Sequence, residues 1–332
     1  MTYVKKFLSM ILAATVMMGC FAGCSAADTG SKKNLQIVTT IFPEYDWVMN
    51  VLGSNPANAE VTMLLDNGTD LHSFQPAASD ILKISSCDMF IYVGGESDEW
   101  VEDALKEAVN KDMIVINLLD CLGSKVVEEE IVEGMQGEEE EEEEEEEAEG
   151  EEEIEYDEHV WLSLRNAADL VGSISDGLQK LDPVNAETYK NNAASYIDKL
   201  NALDSEYQSV VDGASFKTVL FGDRFPFRYL VDDYGIEYYA AFVGCSAESE
   251  ASFETVTFLA KKIDELNLPA VLTIEGTDHR IAETIVENTT SKNQQILSMD
   301  SMQSVTSSDV KNGVTYISIM ENNCQVLKQA LG

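Results

Sequence analysis

Few side chains in this sequence suit coordination chemistry. Among 332 residues there are three histidines, His72, His159 and His279. Imidazole is the commonest protein donor to a divalent metal, and it is also common on solvated surfaces. His72 ends the loop Asp66-Asn67-Gly68-Thr69-Asp70-Leu71-His72, just past an apolar run over 61–65. Loops at the carboxyl ends of parallel strands are where binding groups collect. His159 is followed by Val160 and Trp161, an apolar anchor able to fix its position. His279 stands where a helix begins, so a surface first-turn role competes with ligation. Glu275 closes the apolar run Ala270–Ile274 and sits at that strand's carboxyl end, with helix capping as the competing role. Two imidazoles with one or two carboxylates suit Zn(II), which takes four nitrogen or oxygen donors at about 2.0–2.2 Å. Mn(II) accepts the same donors but prefers more oxygen. A metal-assisted hydrolase would use Glu275 as a base beside the ion. The sequence holds no HExxH, GxSxG or P-loop pattern to support that chemistry.

Such residues need a scaffold, and the apolar periodicity supplies one. Short strands are expected at 36–40, 61–65, 89–93 and 113–118, with helices near 45–52, 78–85 and 100–109 between them, then a helix over 165–181. After Pro183 the residues Tyr189, Ala193, Tyr196, Ile197, Leu200, Leu203, Tyr207 and Val210 recur at spacings of three and four, without glycine until Gly213. That pattern is one helix of about 28 residues, about 40 Å long. Strands then resume at 218–221, 238–242, 270–275 and 295–299, separated by helices and closed by a terminal one. The fold class is α/β: two lobes, each a parallel sheet flanked by helices, joined by one long backbone helix. The expected spans are 35–182 for the first lobe, 183–213 for the linking helix and 214–332 for the second lobe.

Composition sets further bounds. Lys5 and Lys6 precede an apolar stretch over 7–18 that is too short to span a bilayer, the pattern of a signal peptide. It ends in Phe21-Ala22-Gly23-Cys24, which resembles a bacterial lipobox, so Cys24 is the expected lipidation site, 1–24 the leader and 25–34 a tether. Cys20 is the weaker alternative. The net charge is −40, yet 21 of the 61 acidic residues fall in 128–158, which contains no Lys or Arg. Residues 138–147 are consecutive glutamates, and a Glu-rich insert over 128–155 is expected to be disordered by like-charge repulsion. Its role is open between concentrating cations and simple solvation. This charge argues against nucleic acid and anionic membrane surfaces as partners and favours cations. Cys87, Cys121, Cys245 and Cys324 show no CxxC spacing, and Cys324 shares a helical face with Ile317, Met320, Leu327 and Leu331, which favours core packing.

Several stretches, in order, resemble the zinc and manganese solute-binding lipoproteins of bacterial ABC importers, the zinc-uptake receptor type. They are Val38-Thr39-Thr40-Ile41-Phe42-Pro43; Leu71-His72-Ser73-Phe74-Gln75-Pro76 with Asp80; Asp88 to Gly95 with Trp100; Asp157-Glu158-His159-Val160-Trp161-Leu162-Ser163; and Tyr316 to Asn322. The resemblance implies a monomeric receptor, lipid-anchored on the extracytoplasmic face of the cell membrane, that passes Zn(II) to an ABC permease. Alternatives are a manganese or iron receptor of the same family and a surface adhesin or metal buffer. It also implies His72 and His159 as ligands, with Asp300 at the family's carboxylate position. The family's third ligand position falls on Arg224, which cannot release its proton to bind a metal. Arg224 is expected to pair with Asp223 or Glu275 or to orient a ligand, and Glu275 is the expected substitute donor.

Overall fold

The computed structural model describes residues 34–136, 155–244, 250–276 and 278–332. The leader with Cys24, residues 137–154 with the glutamate run, and Cys245 lie outside the described residues.

The first lobe is built from β1 (Gln36–Thr39), α1 (Phe42–Leu52), β2 (Glu60–Met63), α2 (Ala78–Ser86), β3 (Met89–Tyr92), α3 (Trp100–Lys106), β4 (Ile114–Asn117), α4 (Leu118–Leu122) and α5 (Leu164–Leu181). Its sheet has the order β2-β1-β3-β4, all parallel, with Ile37 beside both Val61 and Met89. α6 (Ala186–Gly213) leads to β5 (Thr218–Phe225), α7 (Arg228–Tyr234), β6 (Glu237–Val243), α8 (Phe253–Leu266), β7 (Ala270–Ile274), α9 (Arg280–Asn288), β8 (Gln295–Met299), α10 (Ser307–Lys311) and α11 (Tyr316–Leu331). The second sheet is again parallel, in the order β6-β5-β7-β8. All five residues of β7 are buried, as expected of a parallel strand covered on both faces.

The sequence periodicity placed most elements to within a residue or two. The long helix differs at its start: Pro183–Asn185 is a single 3-10 turn, and α6 begins at Ala186. α4 and α10, five residues each, are too short to show a period. The insert boundary needs correction. Residues 128–136 are not free chain: Glu128 bridges Tyr156, the Glu129 N–H reaches the Glu155 carbonyl at 3.0 Å, and the Gln136 N–H bonds the Ala241 carbonyl at 2.9 Å. Met135 is buried. Val127, Val132 and Met135 pack against the core from this stretch, while Ile131 faces solvent.

α6 braces both lobes through its buried stripe of Tyr189, Ala193, Tyr196, Leu200, Leu203, Tyr207 and Val211. The Tyr196 hydroxyl donates to Asp46 Oδ2 at 2.9 Å, and Asn192 Nδ2 to the Val51 carbonyl at 2.9 Å, both on α1. Farther along, the Tyr207 hydroxyl donates to the Met320 carbonyl on α11 at 2.6 Å. Trp47 of α1 meets Tyr316 of α11 edge-on, 5.3 Å between centroids, and the Tyr316 hydroxyl donates to the Trp161 carbonyl at 2.7 Å. One apolar core therefore runs through both lobes, with a smaller cluster under α8 and α9. Cys87 and Cys324 are buried, Cys121 is exposed, and none forms a disulfide among the described residues.

A shared core predicts shared unfolding. Trp47→Ala should lower stability by about 3–5 kcal/mol, the usual penalty for emptying a buried aromatic site. Far-UV circular dichroism and tryptophan fluorescence should still trace one coincident urea transition; separate transitions for the lobes would contradict a common core.

Candidate functional site

His72 lies on a 3-10 turn, Leu71–Ser73, anchored by buried Leu71 and capped by Asp70, whose Oδ1 accepts the His72 N–H at 3.1 Å. His159 precedes the buried turn Val160–Leu162 and is itself fully buried. Its backbone N–H is held at 2.8 Å by Asp157 Oδ1, and the same oxygen lies 3.0 Å from its Nδ1. Ser97 Oγ is 2.8 Å from His72 Nδ1. With Nδ1 of each ring engaged, the Nε2 atoms turn toward each other and stand 3.2 Å apart. Two nitrogens, each about 2.0–2.1 Å from a tetrahedral zinc, lie about 3.3 Å from one another. The observed 3.2 Å matches that spacing and also that of an N–H···N hydrogen bond between the rings. Carboxylate-to-Nδ1 contacts of the Asp157 kind fix the tautomer that exposes the Nε2 lone pair.

The two rings titrate in opposite directions. Burial, then the neighbouring His159, hold His72 down to about 3. Burial also opposes charge on His159, but Asp157 beside it, helped by Glu158 and Asp70, outweighs that and raises its pKa. A proton on the pair therefore resides on His159, and His72 keeps a free lone pair at neutral pH. Glu158 lies beside the pair: its Oε1 accepts the Ser97 N–H at 2.9 Å, and its Oε2 lies 3.5 Å from His72 Nδ1.

The other residues singled out from sequence fall into distinct places. Glu275 and Asp300 stand at the carboxyl ends of β7 and β8 and face each other electrostatically. Glu275 accepts the N–H and hydroxyl of Ser301 at 2.7 and 2.8 Å, and Asp300 Oδ1 accepts the Met302 N–H at 2.7 Å. Burial, then the charge of Glu275, push Asp300 up to about 7. Among the described residues, no three His, Cys, Asp or Glu side chains are grouped tightly enough to hold a metal. The histidines meet each other and the carboxylates form a pair of their own. Asp223 serves the backbone, accepting the N–H groups of Arg224 at 2.9 Å and Ile274 at 3.2 Å. Arg224 pairs with Asp70 of the first lobe at 3.1 Å, a partner not expected from sequence. His279 is half-buried with a left-handed backbone, φ +57°, at the start of α9.

Sequence reasoning passed over Asp70 and Asp157, although one signal was available: both histidines follow an aspartate by two residues, the spacing of a side-chain-to-backbone turn. It also passed over Ser97, Gln303, whose Nε2 lies 3.4 Å from His159 Nε2, and Gly244. A Cβ on Gly244 would stand 2.9 Å from His159 Cε1 and 3.0 Å from the Phe225 carbonyl, so only glycine lets the second lobe close on the ring. No sequence pattern marks these contacts, because each arises from a loop meeting another part of the chain.

Two parallel sheets on a rigid helix, with a histidine pair where the lobes meet, one ring buried and one partly so, define a two-lobed solute-binding architecture. The Zn(II)-bound ZnuA-like domain of Streptococcus pneumoniae AdcA shares it, with a TM-score of 0.69 and 28% identity over 90% of this chain and 99% of that one. The chain belongs to the family described as "Zinc-uptake complex component A periplasmic", whose profile matches residues 37–330. It is 32% identical over 325 residues to the zinc-binding lipoprotein AdcA of S. pneumoniae serotype 4, covering 98% of this chain and 61% of that protein. The high-affinity zinc uptake system protein ZnuA of Bacillus subtilis is 28% identical over 324 residues, covering 95% of this chain and 96% of that one. The chain thus spans about three fifths of the length of the AdcA relatives and nearly all of ZnuA.

Two outcomes test this geometry. Gly244→Ala should displace the His159 ring and open the Nε2 separation beyond 3.2 Å, which a crystal structure would read directly. Asp300 has a folded pKa of about 7 against an ordinary 3.8, so its contribution to stability is complete below about pH 4 and is lost as pH rises through 7. Asp300→Asn should therefore melt higher than the parent chain at pH 8 without metal, and the gap should close toward pH 4.

Proposed function

We propose that the chain is an extracytoplasmic receptor that captures Zn(II) and delivers it to an ABC importer. The observation carrying this reading is the pair of His72 and His159 Nε2 atoms, 3.2 Å apart, each ring fixed through Nδ1. Two imidazoles with two carboxylates fit a four-coordinate zinc, and zinc lies above manganese in the affinity order. The names of the S. pneumoniae and B. subtilis relatives support the same cargo. Asp300 is the proposed third ligand. Only its Oδ1 is engaged by Met302 among the described contacts, whereas Glu275 must first give up Ser301. Glu275 is the proposed fourth ligand, reached by a small approach of the β7 and β8 ends toward the histidines.

The metal is cargo in this reading, and the protein is a receptor without turnover. No helix among the described residues is long and apolar enough to cross a membrane; the proposed tether is a lipid on Cys24. The protein acts as a monomer, with the importer's permease as its partner.

Metal content and competition titration of the purified chain test the proposal. About one zinc per chain is expected, and His72→Ala or His159→Ala should weaken binding more than the 10–100-fold typical of losing a supporting contact. Undiminished affinity in either variant would sink it. Affinity should also fall as the solution is acidified, because zinc must displace the proton that His159 holds more tightly than an ordinary imidazole.

A further inference from the structure

Each histidine is aimed by an aspartate two residues earlier, and each of those aspartates is gripped from the opposite lobe. Asp70 Oδ1 holds the His72 N–H, while its Oδ2 accepts Arg224 Nη2, in β5, at 3.1 Å. Asp157 Oδ1 holds the His159 N–H and Nδ1, while its carbonyl accepts the Tyr229 hydroxyl, in α7, at 2.7 Å. Arg224 and Tyr229 flank one turn of chain at the end of β5, so a single stretch of the second lobe reaches both histidine-bearing loops of the first.

The grip on Asp157 is closed on a further side. Its N–H donates to the Val127 carbonyl at 3.0 Å, and the Val127 N–H donates back to the Tyr229 hydroxyl at 3.2 Å. Tyr229 is 4% exposed, so its hydroxyl has exchanged water for these two backbone groups. The segment after Val127 is strapped to the second lobe: Glu130 pairs with Arg228 and accepts the Tyr238 hydroxyl at 3.3 Å, Glu133 pairs with Lys262 at 3.3 Å, and Gln136 joins the edge of β6. The loop carrying His159 belongs to the first lobe in sequence, yet its position is set by the second.

We propose that Arg224 and Tyr229 are positioning residues: by fixing Asp70 and Asp157 across the lobe boundary they aim both imidazoles at one cation. This rests on the receptor reading above. Arg224 stands where the family resemblance leads one to expect a ligand, and in this chain it serves the metal at one remove, with its charge taken up by Asp70. Contacts of this kind govern ligand orientation, and their loss usually lowers metal affinity by about 10–100-fold.

Tyr229→Phe deletes one oxygen and Arg224→Gln one charge. In the purified chain both should bind about one zinc with a dissociation constant raised about 10–100-fold. In metal-free Tyr229→Phe at alkaline pH, where the ring is neutral, the ring nitrogens of His159, read by nitrogen-15 NMR, should pass from a single Nδ1–H tautomer to a mixture. Tyr207→Phe is the control, because it removes a buried hydroxyl bond to Met320 on a different helix. It should lower the melting temperature and leave affinity and tautomer alone. Should Arg224→Gln fail to fold, Tyr229→Phe carries the test. Parent-like zinc affinity and an unchanged tautomer in Tyr229→Phe, alongside weakened His72→Ala and His159→Ala, would overturn the positioning role. Undiminished binding in the two histidine variants would instead fault the receptor reading.

Discussion

Two basic nitrogens held 3.2 Å apart in a largely buried seam repel one another as soon as both are protonated, and fully buried His159 has no water to screen it. Everything around them answers that constraint. Asp157 takes the proton-bearing side of His159, Ser97 occupies Nδ1 of His72, and burial keeps His72 neutral. Without those partners the rings would separate toward solvent. With them, one proton shared between the facing Nε2 atoms is tolerated and a second is not. In the proposed receptor, Zn(II) would take that proton's place and accept both lone pairs.

The scaffold determines how such an occupant gets in. A receptor whose lobes swung widely would expose much of a common core, yet here Trp47, Trp161 and Tyr316 cross the boundary and α6 is bonded to α1 at one place and α11 at another. Beside the site the loops are stitched directly: Asn67 bridges Thr306, and the Ser307 N–H bonds the Asp66 carbonyl at 2.9 Å. Such a body yields by small shifts of loops and strand ends, not by opening a hinge. The carboxylate pair of Glu275 and Asp300 fits that picture. It lies at the tips of β7 and β8, already under like-charge tension, and approach of a cation would relieve that tension for a small movement.

The scaffold was largely legible from sequence because it depends on period. The tyrosine and leucine stripe of α6, the apolar strand β7 and the alternation around them follow from burying one face or two. The pairing of His72 with His159 came from the family resemblance alone, since a place after a strand and the Val160-Trp161 anchor each leave a solvated role open. What periodicity could not supply was cross-chain company. Gly244 against His159, Arg224 against Asp70 and Tyr229 against Asp157 join residues roughly 70 to 150 positions apart, and nothing in the local sequence of either partner announces the other. The stem over 128–136 was hidden for a different reason: its charge density drew attention from two apolar anchors, Val132 and Met135, and its ion pairs to Arg228 and Lys262 are long-range contacts with no local signal.

Arg224 shows why a residue that looks wrong for a site can still belong to it. A guanidinium cannot coordinate, and an unpaired one beside a metal would oppose binding; one paired with Asp70 at 3.1 Å presents a nearly neutral pair. Trading a ligand at this position for such a pair has two effects in the proposed receptor. It removes one donor, which moves the remaining requirement onto the oxygens of Asp300 and Glu275. It also stiffens the turn under His72, since the aspartate that caps that turn is held from across the seam. Fewer fixed donors and better-aimed ones act in opposite directions on affinity, and the balance leaves a site that depends on orientation more than on donor number.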